Sequence, residues 1–188
     1  MGTGSSIGRV RFSPARAHHI LVRTLSDSKV TGRLRLGPLD FPCVLGRSGV
    51  SARKREGDGA TPRGLWPVRE VFYRPDRMMR PRCGVPPIPL EPSDGWCDES
   101  TDRNYNRRVT HPYPASAEAM WREDHLYDVV VVLGYNERPR VRGRGSAIFL
   151  HLSRPERTPT AGCIALELRY ALRLLAALRR GMRIRIGR

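Results

Sequence analysis

Apolar and polar residues alternate with period two at several places along the chain, the signature of strands with one buried face. RVRF around Val10, HHILVRTL around Ile20 and MRIRI near the C-terminus all read this way. LRLGPLDFPCVLG continues as strand and turn, with Gly37-Pro38 as the break, and Val68 to Tyr73 makes a further strand. LYDVVVVLGYN differs in kind, because its unbroken valine run predicts a strand buried on both faces.

Helical spacing is rarer. SAEAMWRE, from Ser116 to Glu123, predicts a short helix capped by Ser116. A second helix is expected where Leu168, Leu172, Leu175 and Leu178 form an apolar stripe, with Arg169, Arg173, Arg179 and Arg180 on the other side or at the end and Gly181 as the stop. The fold class that follows is mainly β with one or two helices (α+β). Residues 1–8 are expected to be a flexible tail and residues 9–188 a single domain.

Two long stretches interrupt the strands. Pro75 to Pro92 is rich in Pro and Arg and predicts an extended excursion over the surface. DGWCDESTDRNYN follows it, dense in turn-formers and aromatics. Loops of this length tend to be walls or lids of sites, and Trp96, Tyr105 and Asn106 can either line a cleft or anchor the loop by burial.

Composition narrows the classes. With 188 residues, 39% of them hydrophobic, the chain can bury a real core. Its 34 basic against 18 acidic residues give a formal charge of +16, a field that attracts nucleic acid, anionic lipid or an anionic wall polymer. Most of these charges stand singly in loops and on helix faces, the pattern of a solvated basic surface rather than of a specific nucleic-acid groove. No stretch is long and apolar enough for a transmembrane segment. The opening MGTGSSIGRVRF lacks the apolar centre of a secretory signal, leaving cytosolic residence, an upstream start or another export route open.

The four cysteines, Cys43, Cys83, Cys97 and Cys163, form no CxxC pair and no disulfide framework, although a Cys83 to Cys97 bridge is open to the chain in an oxidising compartment. His111, His125 and Cys97 are the only scattered candidates for a metal and have no motif spacing, so neither a metal nor a cofactor is expected.

Chemistry concentrates in GSAIFLHLSRPERTPTAGCI, Gly145 to Ile164. An apolar strand delivers His151, a Pro-punctuated loop follows, and Cys163 comes next to Gly162. A thiol attacks a carbonyl only as thiolate, so it needs an imidazole to take its proton. His151 can be that base and later the acid. Gly162 clears the approach to the sulfur, and the backbone N–H groups of Gly162 and Cys163 can form an oxyanion hole.

These residues resemble the L,D-transpeptidase catalytic domain, or YkuD, family. Its signature is a histidine closing a strand, a variable loop, then Ser/Thr-x-Gly-Cys and an apolar residue; here stand His151, Thr160-Ala161-Gly162-Cys163 and Ile164. A Gly-turn with Thr-Pro-x-Gly is similar to Gly59-Ala60-Thr61-Pro62-Arg63-Gly64. PCVLGRSGV, DGWCDESTDRNYN and LYDVVVVLGYN resemble an uncharacterised proteobacterial branch. The sequence departs from the family pattern at Leu152, Ala161 and Ala165, where Gly, His and Arg are common, which bears on how substrate is held. Arg154 and Arg157 stand near enough in sequence to replace the missing cation.

The resemblance implies a β-sandwich catalytic domain in the periplasm or cell envelope. Cys163 would form a thioester with a peptidoglycan tetrapeptide stem, and His151 would move the protons. Thr160, Ala161 and Arg154 would contact the substrate, and the acyl group would pass to an amine, forming a cross-link. The alternatives are an L,D-carboxypeptidase, a protein-to-wall ligase, or a non-catalytic basic protein that binds nucleic acid or wall polymer. The third group that orients His151 is a backbone carbonyl or, with less support, Ser146 or Ser153.

Overall fold

A computed structural model describes residues 19–187. The strand expected around Val10 lies outside them. β1 (His19–Leu25), β2 (Ser28–Leu36) and β3 (Leu39–Val44) form an antiparallel meander that turns at Gly37. β4 (Val50–Ser51) and β5 (Thr61–Pro62) make a small parallel pair, and β6 (Gly64–Tyr73) is the longest strand. The proline-rich excursion runs on to β7 (Pro87–Pro89), which joins β6.

β8 (Asp94–Cys97), β9 (Arg108–Thr110) and β10 (Ala117–Ala119) form a separate three-stranded sheet. The chain then enters β11 (Val129–Leu133), β12 (Phe149–Leu152), β13 (Ile164–Leu166), the helix α1 (Leu168–Ala177) and β14 (Arg183–Gly187). Strands pair in the order β11-β12-β13-β3-β2-β1-β14-β6, and β6 pairs back onto β11. The sheet therefore closes on itself like a barrel, the form taken by the β-rich fold expected from the sequence.

Period-two alternation sorts side chains between two cores. Val129, Val131, Leu133, Leu150, Leu152, Ile164 and Leu166 face the main core inside the closed sheet. Their neighbours Val130, Val132, Phe149 and Cys163 face outward into a second core with Phe72, Trp96, Met120 and Tyr127. The small β8–β10 sheet supplies Trp96 to this second core, so the valine run of β11 is buried on both faces.

Three expectations are corrected. Ser116 to Glu123 is no helix: Ala117–Ala119 pairs with Gly95–Cys97, and the Ser116 carbonyl accepts the Asp98 N–H. A helix of two turns is marginal by itself, whereas the open edge of β8 offers ladder hydrogen bonds at once. The stripe of α1 is rotated: Ala171, Leu174, Leu175 and Leu178 are buried, while Leu168 and Leu172 are 47% and 37% exposed. Ala171, the smallest residue of that face, is fully buried in the main core. The helix ends at Ala177, before Gly181, and Gly181 at φ 81° forms the turn into β14 instead. The alternation of β14, exposed at Arg183 and Arg185 and buried at Ile184 and Ile186, agrees with the sequence pattern.

Leu174→Ala is expected to cost about 2–5 kcal/mol of stability through the cavity it leaves. Leu172→Ala should change stability by no more than about 0.5 kcal/mol. Denaturant unfolding of both variants reads the rotation of the helix face.

Candidate active site

β12 and β13 run parallel, with His151 opposite Ala165 and Leu150 opposite Ile164. Cys163 immediately precedes β13 and shares the outward face with Phe149, His151 and Ala165. The sulfur and the imidazole thus arise from adjacent strands, two residues apart along them, on one side of the sheet. Both line a cavity of about 370 Å³ together with Arg47, Lys54, Asp98, Glu118 and Ala161.

The sulfur is held from two sides. Its S–H donates to the Ala147 carbonyl at 3.2 Å, and it accepts the Phe149 N–H at 3.3 Å. Ala147 can offer its carbonyl because it sits at φ 49°, a conformation rare for a residue with a side chain. Asn106 enforces it: its Oδ1 accepts the Ala147 and Trp96 Nε1 hydrogens at 3.1 and 3.0 Å, and its Nδ2 donates to the carbonyls of Tyr135 and Asn136. Tyr105 and Ser146 both donate to the Glu56 carboxylate, and the Tyr105 hydroxyl accepts the Gly145 N–H. Trp96, Tyr105 and Asn106 therefore act as buried anchors behind the site.

Gly162, at φ 143°, occupies a conformation that favours glycine, and a Cβ there would stand 2.9 Å from the Ala60 carbonyl oxygen. Thr61 on β5 accepts the Gly46 N–H at 2.8 Å with its Oγ1, which approaches the Cys163 carbonyl at 3.5 Å. The two sequence motifs, remote in the chain, thus meet directly behind the thiol.

His151 Nδ1 lies 2.8 Å from the Leu152 carbonyl. A carbonyl only accepts, so Nδ1 carries the hydrogen and Nε2 keeps a lone pair. Of the candidate orienting groups it is the backbone carbonyl that contacts the ring; Ser146 bonds Glu56, and Ser153 Oγ has no partner among the described residues. Tyr127 packs edge-on against the ring at 5.3 Å between centroids. Burial pushes the imidazole down to about 4, aided by the nearby Arg122 and Arg154 guanidinium groups and opposed by the Leu152 hydrogen bond and Asp124. Burial likewise pushes the Cys163 thiol up to about 12, and the Glu118 charge adds to it. The cleft holds a neutral thiol and a neutral imidazole on one face of adjacent strands.

The remaining sequence candidates fall around this pair. Thr160 Oγ1 donates to the Cys163 carbonyl at 2.7 Å and accepts the Gly162 N–H at 3.1 Å, so that N–H is already engaged. Ala161 is exposed and lines the cavity. Arg154 pairs with Asp124 at 3.1 Å and lines an adjoining cavity of about 320 Å³ that also contains His151, Ala165, Arg47, Arg122 and Glu118. Arg157 lines neither cavity. All four cysteines are free, and no group of three or more His, Cys, Asp or Glu among the described residues is placed to hold a metal ion.

Sequence reasoning missed Glu118, Asp98 and Arg47. Glu118 fell inside the segment read as a helix; Asp98 lies in DGWCDESTDRNYN and Arg47 in PCVLGRSGV, segments the sequence marks without distinguishing either residue within them.

The class the structure defines is a β-rich closed sheet with a thiol and an imidazole on one face of adjoining strands, opening into one cavity. The family model for the L,D-transpeptidase catalytic domain matches residues 17–186, nearly the whole chain, and the protein belongs to that family. No curated protein and no solved structure matches the chain.

His151 makes stability depend on pH. Between pH 6.5 and about 4 the unfolded chain binds this proton and the folded one does not, so stability is full above 6.5 and falls as pH drops through the window. The loss should exceed that of His151→Gln by on the order of 3 kcal/mol, read by denaturant unfolding at a series of pH values.

Proposed function

We propose that the protein is a cysteine L,D-transpeptidase that acylates Cys163 with a peptidoglycan tetrapeptide stem and passes the acyl group to an amine. The observation that carries this reading is the placement of Cys163 and His151 on one face of adjacent strands, opening into a single cavity. Family membership supplies the reaction class, acyl transfer at the cell wall.

With a thiol held near 12 and an imidazole near 4, a resting thiolate–imidazolium pair is disfavoured. The proton instead moves from sulfur to His151 Nε2 as the carbon–sulfur bond forms. His151 then gives that proton to the departing D-alanine nitrogen. The Gly162 N–H is a donor for the developing oxyanion once the substrate oxygen displaces Thr160 Oγ1 from it, with the Cys163 N–H beside it. Thr160 and Ala161 form the rim that the stem crosses. Arg154, with Arg122 and Arg47, lines the neighbouring cavity where a stem carboxylate would lie, and Ala165 leaves that space open.

A cell-wall substrate places the enzyme in the envelope. No helix among the described residues is long and apolar enough to cross a membrane. The +16 charge suits an anionic wall polymer.

Incubation with purified disaccharide-tetrapeptides should yield cross-linked dimers, and a carbapenem should leave a covalent adduct on Cys163. Cys163→Ala should abolish both, and His151→Gln should slow turnover by about 100- to 10,000-fold. An unmodified Cys163 with no turnover of stem peptides would sink the reading.

A further inference from the structure

The catalytic cavity is roofed by the β8–β10 sheet, which contributes two carboxylates. Glu118 on β10 stands opposite Trp96, and Asp98 follows β8 two residues beyond it on the same face. Most other charged groups of this cavity are already engaged. Lys54 is locked to Asp58 at 2.7 Å and to the Arg55 carbonyl at 2.8 Å. Glu56 takes the Tyr105 and Ser146 hydroxyls, and Arg47 donates to the Gly57 carbonyl.

Glu118 is different. The Tyr127 hydroxyl donates to its Oε1 at 2.5 Å, and Arg122 Nη1 lies 3.8 Å from that same oxygen. Its Oε2 has no hydrogen bond among the described residues, and the side chain remains 29% exposed to the cavity. Asp98 Oδ1 is shielded from solvent without a partner. Glu118 and His151 are also shared by the two cavities, so Glu118 sits where a second substrate entering beside the acylated thiol would pass.

Resting on the transpeptidase reading, we propose that Glu118 receives the acyl acceptor, binding its ammonium group and taking its first proton. The ammonium gives one proton to the Glu118 carboxylate. The freed nitrogen bonds the thioester carbon, the carbon–sulfur bond breaks, and the second proton passes through His151 Nε2 to the departing sulfur. A neutral amide, a Cys163 thiol and a protonated Glu118 remain, and Glu118 returns its proton to water. Burial, with the Asp98 and Asp124 charges, raises the Glu118 carboxyl above the usual carboxylate range, against the Tyr127 hydrogen bond and Arg122; the shift makes it a better base.

The test measures how the acyl-enzyme partitions. A tetrapeptide stem serves as donor, with Nα-acetyl-lysine, a cationic amine, or hydroxylamine, uncharged at neutral pH, as acceptor; products are counted by mass spectrometry. In Glu118→Gln the ratio of lysine amide to hydrolysis product should fall by about 100-fold, while the ratio of hydroxamate to hydrolysis product stays as in the wild type; both ratios compare fates of one acyl-enzyme, so a change in the rate at which Cys163 is acylated leaves them unaffected. Glu118→Asp, which keeps the charge, should recover part of the amide yield. An unchanged amide ratio in Glu118→Gln, or an equal fall with both acceptors, would overturn the role of Glu118 and leave the acyl chemistry standing. A wild-type enzyme that never acylates Cys163 would overturn the transpeptidase reading and this role with it. Should Glu118→Gln fail to acylate through misfolding, Glu118→Asp decides: a fall in the ratio of amide to hydrolysis product with an unchanged ratio of hydroxamate to hydrolysis product supports the role, and no fall, or an equal fall in both, overturns it.

Discussion

The contact of Gly162 with the Ala60 carbonyl is the constraint from which the site is built. A Cβ at Gly162 would come within 2.9 Å of that oxygen, so the turn before the thiol and the Thr61-Pro62 segment are pressed together backbone to backbone. Around the contact three segments interlock. The Arg47 N–H donates to the Thr160 carbonyl, the Thr160 N–H to the Leu45 carbonyl, and the Thr61 N–H to the Gly49 carbonyl. Thr61 Oγ1 receives the Gly46 N–H and nears the Cys163 carbonyl. Buried backbone groups left without partners would be costly, so this set holds or fails together.

On that foundation the outward face of β12 and β13 becomes chemically unusual. A sheet face covered by a second small sheet is a dry environment, and a thiol and an imidazole placed there both lose their charged forms. The Glu118 charge works in the same direction on the thiol, and the arginines near His151 work in that direction on the imidazole. On the proposed function, reactivity in such a cleft depends on substrate arriving to complete the electrostatics. In the proposed reaction, proton transfer accompanies bond formation instead of preceding it.

Much of the fold could be read from period and turn chemistry. The alternation of β1 and β14, the Gly37 turn and the double-sided burial of β11 all follow from residue order, since each depends on neighbours two or four positions away. His151 and Cys163 stood out for the same reason, with strand, loop and Gly-Cys in one stretch. The errors came where a local preference met a tertiary alternative. SAEAMWRE has a capping serine and helix formers, yet the edge of β8 claimed it. The leucines of α1 suggest a face through Leu168 and Leu172, whereas the buried face takes Ala171 and Leu174 in their place.

The sequence by itself determined the strand-rich class, the nucleophile and base candidates, and the two family motifs, because these are properties of local pattern. Only the tertiary structure decided that the motifs touch, that Asn106 turns the Ala147 carbonyl to the thiol, and that Glu118 roofs the cleft beside His151. Those relations join residues far apart in the chain. They exist only once the sheet closes and the β8–β10 sheet covers its outer face, and no periodicity along a linear chain encodes which side chain will stand across a cavity from another.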